Sequence, residues 1–318
     1  MSETALVTGG AGLIGSHLVD SLLEKGFEVK VLDNLHSGKM QNLNHCLKDI
    51  EFVKGDVRDL ELVSKLCRNT DYILHQAALL SVFESVDRAK DYNDVNINGF
   101  LNVLQAAKEN NVKRVVFASS SSIYGDPNIF PTDETVLPDP SSPYALTKVA
   151  GEHYARLFHH LYGLETVSLR YFNVFGPRQD PQAPYAAVIP KFITMLLAGQ
   201  QPTIYGDGLQ SRDFTFIKVN ADANLAALRA GKKACGQAFN IGSGQSINLL
   251  DLLDKIAEIL GQQATPSFAP ARLGDVRTTV ASTEKTEKLL GFKCNYTLED
   301  GLKQTIEWFK QGNSQANK

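Results

Sequence analysis

Two side chains four residues apart carry the first hint of chemistry. Tyr144 and Lys148 stand in the stretch Ser141-Ser-Pro-Tyr-Ala-Leu-Thr-Lys148. Beyond it the apolar residues keep helical spacing to Tyr162, and Gly163 marks a stop. Ser142 suits an N-cap and Pro143 the first helical position, so Tyr144 and Lys148 fall on one face of a helix that starts just before them. A tyrosine with a solution pKa of about 10 is a poor base near neutrality. A neighbouring ammonium favours the phenolate, and such a pair can then take or return a hydroxyl proton. Upstream, the run Ser119-Ser-Ser-Ser122 offers hydroxyls that could hold the same substrate oxygen. A Tyr-x-x-x-Lys spacing is common and means little alone; its context gives it weight.

That context begins near the amino terminus. A short apolar run, Ala5 to Thr8, leads into Gly9-x-x-Gly12-x-x-Gly15, and Leu13, Ile14, Leu18, Leu22 and Leu23 then recur at helical spacing. Strand, glycine turn and helix in that order form a dinucleotide fingerprint. The glycines allow a tight turn, close backbone approach to a pyrophosphate and close helix–strand packing, with unpaired helix N–H groups aimed at the phosphates. A second strand, Phe27 to Leu32, ends on Asp33, where a carboxylate can accept bonds from ribose hydroxyls and repel a 2′-phosphate. The residues therefore predict an NAD site, with the polar loop Asn34 to Cys46, carrying Ser37-Gly38-Lys39, near the adenosine.

Strands and helices alternate onward. Glu51 to Asp56 reads as a third strand, and Asp56 could either bond an adenine amino group or cap the helical segment from Leu60. Tyr72 to Ala78 reads as the fourth strand, Val95 to Lys108 as a helix and Lys113 to Ser119 as a buried fifth strand. The later elements are a strand at Glu165–Arg170, a helix at 186–197, a strand at Ala238–Ile241 and helices at Leu249–Leu260 and Leu298–Lys310. The pattern predicts an α/β fold, a doubly wound parallel sheet of Rossmann-like type with a smaller carboxyl-terminal α/β substrate lobe. The expected division is 1–172 for the NAD-binding domain, rejoined by about 213–243, with 173–318 mainly a discontinuous substrate lobe.

Composition narrows the partners. The 318 residues are 43% hydrophobic with a net charge of -3, leaving no basic footprint for nucleic acid and no run long enough for a membrane span. No charged leader precedes the first strand, and the four cysteines, Cys46, Cys67, Cys235 and Cys294, show no metal-ligand spacing. His159-His160 reads as helix surface. The expectation is a cytoplasmic protein without a metal.

With these residues in place, the chain resembles an extended short-chain dehydrogenase/reductase, specifically an NAD-dependent sugar-nucleotide epimerase, from Thr4 to about Phe309. The resemblance rests on the glycine motif, Asp33, Asp56-Val57, His75-Gln-Ala-Ala78, the serines before Tyr124-Gly125 and Tyr144-x-x-x-Lys148. Downstream it rests on Arg170 to Pro177, Tyr185 to Phe192, Tyr205 to Gly208, Arg212-Asp-Phe214 and Arg272-Leu-Gly-Asp275. It implies that Tyr144 is the catalytic base, Lys148 its partner and Ser120 the catalytic hydroxyl, with Ser121 and Ser122 as alternatives. It places cofactor contacts at Gly9, Gly12, Leu13, Ile14 and Gly15, at Asp33, Asn34, Ser37 and Gly38, and at Asp56 and Val57. Gln76, Ala77, Ala78, Tyr144, Lys148 and Phe172 complete that set, Phe172 packing near the nicotinamide.

For the substrate, a UDP-sugar, the resemblance implies Ser81, Ser121, Ser122 and Asn173, the last holding the diphosphate. Val188, Lys191, Phe192 and Tyr205 follow, and Arg212 and Arg272 would converge on the diphosphate as two cationic forks. Asp275 would orient uridine or an arginine. Thr278-Thr279 are small where glucose-restricted relatives carry a large aromatic, so Thr279 should leave room for an N-acetyl group. The chain departs from relatives at Lys218-Val-Asn220, where an acidic pair is common, and at Ser81-Val-Phe-Glu84, which lacks their proline. The implied reaction is 4-epimerisation of a UDP-hexose through a 4-keto sugar, by a homodimer. Dehydratases carry an Asp-Glu pair in place of these serines; uronic-acid epimerases or decarboxylases, and a non-catalytic NAD or nucleotide-sugar sensor, are the competing readings.

Overall fold

A computed structural model describes residues 2–182, 187–271 and 276–316, with side chains to residue 312. Its centre is a seven-stranded parallel sheet in the order β11-β6-β5-β4-β1-β2-β3. These strands are β1 (Thr4–Thr8), β2 (Glu28–Asp33), β3 (Ile50–Lys54), β4 (Tyr72–His75), β5 (Arg114–Ser120), β6 (Glu165–Tyr171) and, returning from far along the chain, β11 (Gln237–Ile241). The order reverses between β1 and β4, and a crevice for a ligand opens at the carboxyl ends of strands at such a point.

Successive strand residues point to opposite faces, so the sheet buries apolar side chains on both. Val7, Val31, Leu74 and Val116 face one layer, while Leu6, Leu32, Ile73 and Val115 face the other. On the first face lie α1 (Leu13–Glu24) and α8 (Ile217–Arg229), which pack against each other. On the second lie α2 (Leu60–Cys67), α5 (Gly99–Glu109) and α6 (Pro143–Tyr162). The short helices α3 (Val82–Asp87) and α4 (Ala89–Tyr92) lead into a π-helical turn at Asn93–Asn98. The helix expected from Val95 therefore becomes α-helical only at Gly99.

Other boundaries move by a residue or a few. The fourth strand stops at His75, freeing Gln76 to Ala78 as loop, and β5 continues to Ser120. The remaining elements are β7 (Val174–Phe175), α7 (Val188–Leu197), β8 (Thr203–Tyr205), β9 (Ser211–Arg212), β10 (Thr215–Phe216), β12 (Ile247–Asn248), α9 (Leu249–Leu260), β13 (Ser267–Ala269), α10 (Glu284–Leu290) and α11 (Leu298–Ala316). Six of these short strands pair only as two-stranded ribbons: β7 with β10, β8 with β13, β9 with β12. The helix α8 escaped the reading because its pattern is weak; it buries Asn220 and Asn224 along with alanines.

Candidate active site

The glycine turn is built from steric need. Gly9 has a positive φ of 69°, and a Cβ there would lie 2.7 Å from the Ala77 amide nitrogen. A Cβ on Gly15 would lie 2.1 Å from the Gly9 carbonyl oxygen. Gly12 is less crowded: a Cβ there would meet the Gly9 carbonyl oxygen at a tight 3.3 Å and no other atom as closely. It is the N-cap of α1 and supplies no side-chain cap, so the helix N-terminus is open toward the crevice. Asp33, at the end of β2, accepts from the Ala11 amide at 2.9 Å and the Leu35 amide at 2.7 Å. Its carboxylate is thereby fixed at the crevice, and Gly38 lies so close that a Cβ would meet it at 2.8 Å.

The crevice has a volume of about 820 Å³. Its walls include Gly9, Gly12, Leu13, Ile14 and Gly15 on the cradle side, then Asp33, Asn34, Ser37, Gly38 and Val57. Gln76, Ala77 and Ala78 form its floor, and Ser120, Ser121, Ser122, Tyr144, Lys148, Asn173, Arg212 and Thr279 its far end. Two buried wall atoms, Gln76 Oε1 and Ser122 Oγ, lack a hydrogen-bond partner. Orphaned polar atoms beside an uncapped helix N-terminus and a fixed carboxylate fit a dinucleotide that brings polar groups of its own.

At the far end, α6 starts as the sequence predicts: Ser142 caps it by accepting from the Ala145 amide at 3.2 Å. Tyr144 and Lys148 both sit inside the protein. The Lys148 ammonium donates to the Ala118 carbonyl at 2.7 Å and lies 5.8 Å from the centroid of the Tyr144 ring. Burial pulls the Lys148 pKa down to about 7, against the charge of Glu152, which raises it. Burial pushes the Tyr144 hydroxyl up, with the Ser120 hydroxyl opposing. In the protein by itself desolvation thus outweighs the Ser120 hydrogen bond, so a phenolate at neutral pH needs a further positive charge beside it. Ser120 Oγ also accepts from the Ser122 amide at 3.2 Å, which aims it at the tyrosine side of the strand end.

Behind this group lies a buried polar layer that the sequence reading missed. Arg170 grips Glu152 with two bonds of 2.9 and 2.8 Å and donates to the Tyr124 hydroxyl at 2.7 Å. Ser119 donates to Glu152 at 2.5 Å, and Tyr124 donates to Asn240 on β11 at 2.7 Å. Glu152 continues the spacing of Tyr144 and Lys148, which is the signal that would have found it. His75, stacked on Phe100 at 4.8 Å between centroids and bonded to Thr8 Oγ1 at 2.8 Å, is held neutral by burial, its pKa lowered to about 3.

A second cavity of about 650 Å³ adjoins the first, and Phe83, Asn173, Val174 and Arg212 line both. Val188, Lys191 and Phe192 on α7, and Tyr205 on β8, line the second. The junction is tightly fixed. Asn173 Nδ2 donates to the Asp213 carbonyl and to Thr279 Oγ1, both at 3.0 Å, and the Asp213 amide donates to the same Thr279 oxygen at 3.2 Å. Asp213 itself accepts from the Ser243 amide and hydroxyl, the Gly244 amide and the Ala281 amide. Thr279 is therefore a structural tie as well as a small wall residue.

Several of the expected site residues lie away from the cavity walls or outside the described residues. Phe172 does not line either cavity; it is buried against Tyr124, with Tyr171 at the wall instead. Ser81 spends its hydroxyl capping α3, accepting from the Glu84 amide at 3.1 Å, while Phe83 reaches the cavities. Asp56 is absent from the cavity walls and is held by Arg58 at 2.9 and 3.0 Å and by Asn34 at 2.9 Å; the cap of α2 is Asp59. Its carboxyl is accordingly held well below the usual range, the Arg58 hydrogen bonds being the chief cause. Arg272 and Asp275, with Tyr185, lie outside the described residues. At Lys218-Val-Asn220 the chain enters α8, and the buried Asn220 side chain has no partner.

No metal was expected, yet Asp20, His45 and Cys46 bring potential ligand atoms within 4.8 Å of one another. The Arg178 guanidinium, 2.7 Å from the Asp20 carboxylate, already fills the cationic role there. Among the described residues no helix is long and apolar enough to cross a membrane, and Cys46, Cys67, Cys235 and Cys294 are free thiols.

A parallel sheet with a glycine turn at an open helix N-terminus and a Ser-Tyr-Lys group at its carboxyl edge has the form of a dinucleotide-dependent enzyme. Residues 5–242 match the model of the NAD dependent epimerase/dehydratase family, and the chain belongs to that family. UDP-glucose 4-epimerase of Mycolicibacterium smegmatis is 40% identical over 309 residues, spanning 96% of this chain and 98% of the relative. Among solved structures, UDP-N-acetylglucosamine 4-epimerase from Methanobrevibacter ruminantium, in complex with UDP-N-acetylmuramic acid, superposes with a TM-score of 0.93 at 40% identity, covering 98% of this chain and 100% of that one. UDP-glucose 4-epimerase of Thermus thermophilus, complexed with NAD, gives 0.88 at 38% identity, covering 96% and 99%. The family's cofactor is NAD.

Proposed function

We propose that the protein interconverts 4-epimers of UDP-hexoses, accepting UDP-Glc and UDP-Gal and also UDP-GlcNAc and UDP-GalNAc. The observation that carries this reading is that Ser120, Tyr144 and Lys148 line the same crevice as Asn173 and Arg212, which also line the second cavity. Bound NAD supplies the hydride acceptor and donor for C4, and its positive ring is the further charge that Tyr144 needs. Tyr144 takes the proton of the sugar 4-hydroxyl and returns it after the 4-keto sugar has turned over. Ser120 holds the same oxygen, and the Lys148 cation favours the phenolate. Asn173 and Arg212 at the junction, with Lys191 and Tyr205 beyond, anchor the UDP part, so that binding energy there retains the keto sugar while it turns. Arg272 and Asp275 are proposed to join that anchor. The small Thr279 side chain supports the N-acetyl substrates.

Residues 1–172 with about 213–243 form the NAD-binding part in this reading, and 173–318 mainly the nucleotide-sugar part. Exposed Leu146, Leu157 and Leu161 along α6 support a homodimer through that helix, whereas the apolar side of α5 is spent on the core. The free thiols support a reducing, cytoplasmic setting.

The test is proton NMR of purified protein incubated separately with UDP-Glc, UDP-GlcNAc and UDP-glucuronate. Conversion of the first two to their 4-epimers is expected, and turnover of UDP-glucuronate alone, or of none after NAD is supplied, overturns the reading. Tyr144→Phe should lower kcat by about 10²–10⁴-fold with little change in KM.

A further inference from the structure

We propose that Glu152 is a positioning residue for the Tyr144–Lys148 pair: it is the buried anion that faces the Lys148 ammonium, and through Ser119 it fixes the strand end that carries Ser120. The inference rests on the role given above to Tyr144 and Lys148. Tyr144, Lys148 and Glu152 follow one another at four-residue steps on α6, so they share a face and rise along it as hydroxyl, cation and anion. The Glu152 side chain is 11% exposed, and its oxygens accept from Arg170 Nε, from a second Arg170 nitrogen and from Ser119 Oγ. These bonds tie α6 to two strands of the sheet, through Ser119 on β5 and Arg170 on β6.

A salt bridge with Arg170 alone would need no placement beneath the active lysine. Lys148 is faced by Tyr144 and Glu152 from its own helix, by the neutral His75 from β4 and by the Phe117 ring and Ala118 carbonyl from β5. Arg170 on β6 stands behind Glu152, bonded to it and to Tyr124. Among these described groups Glu152 is the one acidic side chain acting on Lys148, and it raises the lysine pKa against burial. Without it the ammonium would be a buried cation with one carbonyl for a partner, and would lose its proton below neutrality.

The experiment follows Lys148 itself. Protein carrying ¹³Cε-lysine is titrated by NMR without substrate, and the Lys148 signal is assigned by its loss in Lys148→Met. Wild type should titrate near the value of about 7 that burial imposes. Glu152→Gln keeps the shape and an acceptor but removes the charge, and should move that midpoint down by about one unit, a tenfold drop in the protonated-to-neutral ratio. Because Glu152→Gln leaves Arg170 short of its counter-charge and could unfold the protein, Glu152→Gln/Arg170→Met removes both charges and should show the same shift with circular dichroism unchanged. Glu152→Asp, which keeps the charge, should restore most of the wild-type midpoint. Midpoints that agree within about 0.2 unit across wild type, Glu152→Gln and the double variant overturn the proposal. The titration needs no turnover, so a failure of the epimerase reading would appear separately, as wild-type protein that converts no UDP-hexose.

Discussion

The two cavities that meet at Asn173 and Arg212 are made in different ways. The cofactor side is mostly backbone and absent side chains: glycines at 9, 12 and 15, an uncapped helix end, and a carboxylate fixed by two amides, all hung from a continuous sheet. The side proposed for the nucleotide sugar is mostly side chains from α7 and the short ribbons, tied at the junction by Thr279, Asn173 and Asp213 across stretches far apart in sequence. A wall of backbone tolerates almost no change, whereas a wall of side chains can be reshaped one residue at a time. The relatives agree with that contrast, since the family shares its cofactor while the named sugar differs between them.

The comparison predicts its own largest failure. Gly15→Val places branched atoms where even a Cβ would sit 2.1 Å from the Gly9 carbonyl, at the centre of the cradle. Backbone must move to admit it, so NAD binding, measured by calorimetry, should fall at least about 100-fold, the scale of a few kcal/mol in lost fit. Near-wild-type affinity would mean that the turn is not the rigid part.

On the other side, Thr279→Tyr should lower kcat/KM for UDP-GlcNAc by about tenfold or more relative to UDP-Glc, because the ring takes the space proposed for the N-acetyl group. Thr279→Val separates volume from bonding. It keeps the size but strips the acceptor from Asn173 and the Asp213 amide, so thermal stability should drop by about 1–3 kcal/mol with the ratio between the two sugars unchanged. An unchanged ratio in Thr279→Tyr would remove Thr279 from the specificity wall.

The same contrast decides what was legible in the sequence. Local rules read the cofactor side well: strand, glycine turn and helix lie within a few residues, Asp33 closes the next strand, and Ser142-Pro143 marks the start of α6. Asp56 shows the limit of the same local logic. An acid at a strand end is a reasonable ligand or cap, but Arg58, two residues on, captures it and Asp59 takes the cap. At Phe172, family position fixes a neighbourhood and not which of two adjacent aromatics turns to the cavity, and it is Tyr171 that lines it. In the polar layer of Arg170, Glu152, Tyr124 and Asn240 only Glu152 had a local signal, its spacing after Lys148; the layer's partners are up to 116 residues apart and only the folded sheet brings them together. On the sugar side, Thr279 was chosen for its size; its bonds to Asn173 and Asp213 follow from pairing between stretches that no local pattern connects.

The smallest expected effect separates the regions by acid. His75 sits at the end of β4 under the cofactor floor, neutral, stacked on Phe100 and bonded to Thr8, whose hydroxyl is also within 3.4 Å of the Ala77 amide. Its pKa is about 3 in the folded protein against an ordinary value of 6.5. The unfolded chain therefore binds a proton that the folded one refuses, and stability is complete above pH 6.5 and lost as the pH falls from there toward 3. The loss per pH unit approaches about 1.4 kcal/mol well inside that window. His17 on α1, lowered to about 4 mainly by burial, adds to it, so both imidazoles place the acid sensitivity on the cofactor side. His75→Leu should cost about 1–2 kcal/mol at pH 7 through the lost bond and stacking. It should also flatten the decline of denaturant-measured stability between about pH 6 and pH 4.5, because the titrating group is gone. A variant as acid-sensitive as wild type would show that the sheet under the cofactor is not where protons act, and would move the weak point to the ribbons on the sugar side.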